Sequence, residues 1–106
     1  MNEIKTSEEF KNYLQKENRF LLLKHSSTCP ISHQAYVEVE KYENTGVSVP
    51  IMYLVVQTSR DLSNSIAQEY EVKHESPQAL FFENGKVKGH MSHWDITSTQ
   101  LKDLLK

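Results

Sequence analysis

The sequence predicts an α/β fold, a four-stranded mixed β-sheet flanked by helices, on the strength of three observations. Two apolar runs of strand length, residues 19–24 (Arg-Phe-Leu-Leu-Leu-Lys) and 50–56 (Pro-Ile-Met-Tyr-Leu-Val-Val), alternate with segments whose apolar residues recur at helical spacing. Two capping boxes, Thr6-Ser7-Glu8-Glu9 and Thr97-Ser98-Thr99-Gln100, mark helix starts near the two ends of the chain. An Asn84-Gly85 pair between two short strand-like segments marks a type I′ hairpin. The element order is α-β-α-β-α-β-β-α, a parallel first half closed by a hairpin and a last helix.

Each element has a local reason. After the first capping box, Phe10, Tyr13 and Leu14 mark one face of a helix ending near Glu17, and Asn18 suits the turn that follows. The first strand covers about residues 19 to 25. Pro30 to Glu43 lacks glycine and carries Ala35, Val37, Val39 and Tyr42, a helix that must end before Gly46. The run opened by Val49 is rich in β-branched and aromatic residues, which suits a central strand covered on both faces. Ser59 is an N-cap candidate for a helix through Leu62, Ile66, Ala67 and Tyr70. A strand, helix, strand order implies a parallel pair with a right-handed crossover. Ala79 to Phe82 and Val87 to His93 form the hairpin, and Leu101, Leu104 and Leu105 give the last helix its buried stripe.

The bulk composition bounds the function. With 106 residues, 25% charged and 38% hydrophobic, the chain reads as one domain over residues 1–106 that can bury a core without disulfides or a structural metal. A formal charge of −2 and the lack of basic runs give no nucleic-acid footprint and no polybasic membrane patch. No segment approaches the ~20 apolar residues of a membrane span and the amino terminus has no signal-like stretch, so a cytoplasmic location is expected.

The only cysteine, Cys29, sits between the first strand and the second helix, after the small polar loop Ser26-Ser27-Thr28. A lone cysteine is ordinarily a small buried hydrophobe. Here Pro30, suited to a first helical turn, places Cys29 at or beside an N-cap, where free N–H groups and the helix dipole favour thiolate. The setting therefore predicts a reactive thiol. Ser32 stands where a Cys-x-x-Cys motif has its second thiol, so a mixed disulfide at Cys29 must be resolved by another molecule. The common role for a serine there is an exposed first-turn residue. Lys24 and His33 are the candidates for positive charge supporting the thiolate, against the more frequent solvated role for each.

His25, Cys29 and His33 recur every fourth residue, but a tetrahedral zinc site needs four ligands and there is no second cysteine, so no metal is expected. His74, His90 and His93 are scattered in later segments. Trp94 and Tyr53 read as packing residues. Ser76-Pro77 precedes a strand; a cis bond there, which few X-Pro bonds adopt, would leave the Ser76 backbone free to pair with an extended substrate.

Thr28-Cys29-Pro30-Ile31-Ser32, preceded by Lys24-His25-Ser26, resembles the signature of the monothiol bacilliredoxins, a thioredoxin-like family, and the likeness extends over nearly the whole chain. The resemblance implies a thioredoxin-like fold, Cys29 as nucleophile, Thr28, Pro30, Ile31 and Ser32 as its motif, and Pro77 as a cis-proline that, with Ser76, orients the partner. It implies a thiol-disulfide oxidoreductase that removes bacillithiol from S-bacillithiolated client proteins, with no bound cofactor and with bacillithiol as thiol co-substrate. Bacillithiol or another oxidoreductase would regenerate Cys29. Two other classes share these features. One is an iron–sulfur carrier of the monothiol glutaredoxin kind; the other is a thioredoxin-like adaptor with an incidental cysteine.

Overall fold

The computed structural model describes residues 1–105. Its elements in chain order are β1 (Asn2–Glu3), α1 (Ser7–Lys16), β2 (Arg19–His25), α2 (Pro30–Glu43), β3 (Ile51–Val55), α3 (Arg60–Glu69), β4 (Gln78–Glu83), β5 (Lys86–Ser92), a 3-10 turn (His93–Asp95) and α4 (Ser98–Leu104). The sheet has five strands in the order β1-β3-β2-β4-β5. β1 and β2 run parallel to β3, whereas β4 runs antiparallel to β2 and β5.

The fifth strand corrects the four-stranded expectation. β1 is two residues long, too short for any periodicity, and is defined by pairing alone: Asn2 lies opposite Met52, Glu3 opposite Tyr53, and the Ile4 N–H donates to the Tyr53 carbonyl at 2.8 Å. Ile4 is then buried behind it.

The two N-cap threonines act as read. Thr6 Oγ1 accepts the Glu9 N–H at 3.2 Å, and the Glu9 carboxylate reaches back to the N–H of Lys5. Thr97 Oγ1 likewise accepts the Gln100 N–H at 3.1 Å. Ser59 occupies the N-cap position of α3 but does not cap: its hydroxyl is buried with no hydrogen-bond partner. At the hairpin both Asn84 and Gly85 have positive φ, 53° and 77°, as a type I′ turn requires. Gly89 serves close approach, since a Cβ there would lie 2.5 Å from Leu104 Cδ1 of α4.

Alternation along the strands divides the core in two. Phe20, Leu22, Met52, Leu54, Leu80 and Phe82 face α1 and α3, where they meet Phe10, Leu62 and Ile66. Phe20 and Phe82 stack at 4.8 Å, with Phe10 edge-on to both. Leu21, Leu23, Ile51, Ala79 and Phe81 face α2 and α4, meeting Ala35, Val39 and Leu101. The same period of two carries Lys24 to the α1/α3 side and turns His25 to the other face, against the Tyr36 ring of α2 at 5.3 Å. No helix is long and apolar enough to cross a membrane among the described residues.

Candidate active site

Strand register gathers the chemistry at one end of the sheet. Lys24, next to last in β2, pairs with Gln78 at the start of β4, and Gln78 pairs with Ser92 at the end of β5. His25 pairs with Val55, the last residue of β3, and its carbonyl accepts the Val56 N–H at 2.9 Å. The segments 26–29, 56–59, 74–77 and 93–96 therefore emerge at the same end, with Cys29 on the first of them.

Cys29 is the N-cap residue of α2, with Pro30 directly after it, and its thiol is partly exposed and unpaired. Its carbonyl accepts the His33 N–H at 3.1 Å, the first helical bond of α2. The sulfur closes no cap hydrogen bond, so the stabilisation it receives is that of the positive end of the α2 dipole and its free N–H groups. The Ser32 N–H is the main influence lowering the Cys29 pKa; partial desolvation opposes it, and the Ile31 N–H and the Ser32 hydroxyl add smaller contributions. Thiolate is thus present at lower pH than in a free cysteine, and thiolate is the nucleophile.

Ser32 is fully buried rather than exposed, which corrects the expected surface role. Its hydroxyl is buried without a hydrogen-bond partner, and its backbone N–H is the main influence on the sulfur. Burial follows from how α2 is seated: Ser32, Ala35, Val39 and Tyr42 form the stripe that packs onto the sheet.

Lys24 is placed elsewhere. It is wholly buried on the α3 side, its Nζ donating to the Ser63 carbonyl at 3.0 Å and lying 3.3 Å from His74 Nδ1. Neither Lys24 nor His33 is among the groups that move the Cys29 pKa. His33 instead lines a cleft with His25, Tyr36 and Tyr53. Among the described residues no three His, Cys, Asp or Glu side chains converge as a metal-holding group.

The Ser76-Pro77 bond is cis, and the Pro77 carbonyl accepts the His93 N–H at 3.0 Å, which fastens the 3-10 turn to this segment. Trp94, on that turn, is 67% exposed and does not have the packing role read from the sequence. Tyr53 does pack, edge-on to Tyr36 at 5.4 Å.

One positioning residue escapes sequence reasoning. Gln57, just beyond β3, uses both ends of its amide on the cysteine loop: Oε1 accepts the Ser27 N–H at 3.2 Å, while Nε2 donates to Ser26 Oγ at 2.7 Å and Thr28 Oγ1 at 3.2 Å. A glutamine in a turn carries no signal of its own; only the strand order shows that the exits of β2 and β3 are adjacent. Gln57→Ala should raise the Cys29 pKa and slow its alkylation at pH 7 by about threefold to tenfold, and lower the melting temperature by only a few degrees, as the loss of roughly one net hydrogen bond allows. Ultraviolet thiolate titration with iodoacetamide kinetics checks this, and an unaltered titration curve would show that the loop orders itself without the clasp.

The model of the family described as "Monothiol bacilliredoxin BrxC" matches residues 2–101. The chain belongs to that family. A solved thioredoxin-fold structure to which an oxidoreductase role has been ascribed is 36% identical, superposes with a TM-score of 0.91, and is matched over 99% of this chain and 93% of the other. The oxidised mitochondrial thioredoxin 3 of Saccharomyces cerevisiae superposes at 0.78 with 18% identity, over 97% of this chain and 91% of its own. The Fasciola hepatica thioredoxin gives the same score at 16% identity, over 97% and 94%. The last two likenesses concern fold alone. The family, the thioredoxin-like fold and the single cysteine together make this monothiol bacilliredoxin a thiol oxidoreductase.

Proposed function

We propose that this bacilliredoxin removes bacillithiol from S-bacillithiolated client proteins through a mixed disulfide at Cys29. The observation that carries the reading is a partly exposed sulfur at a helix N-cap, with its pKa lowered by the Ser32 N–H, in a chain without a second cysteine. The Cys29 thiolate attacks the bacillithiol sulfur of the client disulfide, the client sulfur leaves as thiolate and takes a proton from solvent, and a Cys29–bacillithiol disulfide remains. A second thiolate, from free bacillithiol or a partner oxidoreductase, then attacks the bacillithiol sulfur, forming a new disulfide with it and returning Cys29 as thiolate. Ser32 has no thiol with which to shortcut that step. In this reading the Ser76 backbone, at the same sheet end as Cys29, pairs with the client chain; the cis Ser76-Pro77 bond supports it. No cofactor takes part, and a reducing cytoplasm suits an enzyme that works through a single free thiol.

Intact mass spectrometry after incubation with a bacillithiolated model protein tests the reading. One bacillithiol should appear on the wild-type chain, with release of the reduced client, and none on Cys29→Ser. A wild-type chain that alkylates readily at Cys29 yet acquires no bacillithiol would refute it.

A further inference from the structure

Beyond the sulfur, the same sheet end carries a feature that thiol exchange does not use. Trp94 is the only large hydrophobic side chain left exposed among the described residues, at 67%. It borders a cleft of about 450 Å³ whose polar wall includes Glu75, His90, His93 and Asp95. A single exposed apolar side chain needs no explanation by itself; what singles out this indole is that it borders a concave surface lined by ionisable groups, at the sheet end that carries Cys29.

The turn that presents Trp94 is held in place. His93 has a positive φ of 54°, a conformation that side chains other than glycine rarely adopt, and its N–H is bonded to the Pro77 carbonyl. Ser92, preceding it, donates its hydroxyl to Glu75 Oε2, which ties the end of β5 to the segment before Pro77. That hydrogen bond is the main reason the Glu75 carboxyl is held below the usual carboxylate range, with His93, Lys73 and His90 also favouring the charge. The turn also packs against α2, the helix that starts at Cys29.

We propose that this cleft is the recognition subsite for the hydroxylated part of a sugar-bearing low-molecular-weight thiol whose sulfur is engaged at Cys29, with Trp94 stacking on the sugar ring. The inference rests on the proposed function and specifies which part of the chain selects the thiol. A pyranose ring has an apolar face of C–H groups that suits an indole, and an equatorial rim of hydroxyls. Glu75 and Asp95 accept from such hydroxyls, and the His90 and His93 imidazoles can donate to or accept from them or from a carboxylate. A client's aliphatic side chain would fill the same cleft poorly, because four ionisable residues would lose water without gaining partners. Bacillithiol is a thiol of the required class; cysteine, which carries the same reacting sulfur without a sugar, is not.

The experiment compares transfer to Cys29 from one model protein carrying either bacillithiol or cysteine in mixed disulfide, for wild type, Trp94→Phe and Trp94→Ala. Trp94→Ala should slow transfer from the bacillithiol adduct by about tenfold and from the cysteine adduct by less than about twofold, with Trp94→Phe between, as loss of a stacking contact of ordinary strength requires. Because Trp94 is the sole tryptophan, wild-type fluorescence should change when Cys29 carries bacillithiol and stay nearly constant when it carries cysteine. Equal slowing of both adducts would assign Trp94 to client docking and overturn the subsite, as would an unchanged rate or an unchanged emission. Wild-type transfer from the cysteine adduct alone would instead overturn the bacillithiol reading, and the subsite with it.

Discussion

Under the proposed function, Ser32→Cys should convert the chain from one that holds bacillithiol at Cys29 into one that expels it. Ser32 lies in the first turn of α2, and its N–H and hydroxyl are among the groups that lower the Cys29 pKa, so a thiol there begins close to the mixed disulfide it would attack. The thiolate introduced at position 32 attacks the Cys29 sulfur, an internal disulfide forms, and bacillithiol leaves as thiolate. Well-placed intramolecular groups have effective concentrations of molar and above, far beyond the millimolar thiol of a reaction mixture, so the adduct should fall from the dominant species to under about a tenth of the protein. Serine and cysteine are close in size, and the buried site needs little rearrangement to accept the change. Mass spectrometry reads the outcome directly as a species two hydrogens lighter than the reduced chain. Persistence of the adduct in Ser32→Cys would mean that a sulfur at position 32 cannot align behind Cys29, and that the Ser32 side chain is turned away from the reaction axis.

Which parts of this site were legible in the sequence follows from how local their causes are. Helix starts at Thr6 and Thr97, the hairpin at Asn84-Gly85 and the N-cap position of Cys29 are set by contacts within a few residues, and the structure has them as read. β1 exists only because β3 offers it an edge, so two residues of sequence could not announce it. The burial of Ser32 depends on which stripe of α2 meets the sheet, and that stripe mixes Ser32 with Ala35 and Val39 instead of forming a clean apolar row. Lys24 misleads for a different reason. Its nearness to Cys29 in the chain suggests a neighbour of the sulfur, but alternation along β2 sends it through the sheet to the side opposite His25. Gln57 reaches the cysteine loop from the exit of β3, so only the strand order brings it there, and only the strand order puts the turn that carries Trp94 at the same sheet end.

Lys24→Met should flatten a rise in stability between about pH 8 and pH 10.5 that the wild-type chain will show. Burial pushes the folded-state Lys24 pKa down from 10.5 to about 8. Below pH 8 both folded and unfolded chains hold the proton, and the folded state bears the full penalty of a charge away from water. Between the two values the unfolded chain binds the proton and the folded chain does not, so unfolding takes up protons and stability increases with pH; above 10.5 the contribution is constant. The rise attributable to this lysine is on the order of 3 kcal/mol. Methionine fills the same space without a charge, and the Ser63 carbonyl lies inside α3, where the helix itself offers it a partner. His74, whose pKa is lowered by burial and then by Lys24 and Arg60, loses a repulsive neighbour as well. At pH 7 Lys24→Met should therefore be as stable as wild type or up to about 2 kcal/mol more so. Urea denaturation at intervals across this pH range measures the difference between the two profiles, in which the shared contributions of the tyrosines and Cys29 cancel; parallel profiles would show that Lys24 keeps an ordinary pKa despite its burial. The same variant separates the two roles open to this lysine. With its ammonium committed to Ser63 and His74, the pH dependence of Cys29 alkylation should be unchanged in Lys24→Met, whereas a lysine supporting the thiolate would shift that curve upward when removed.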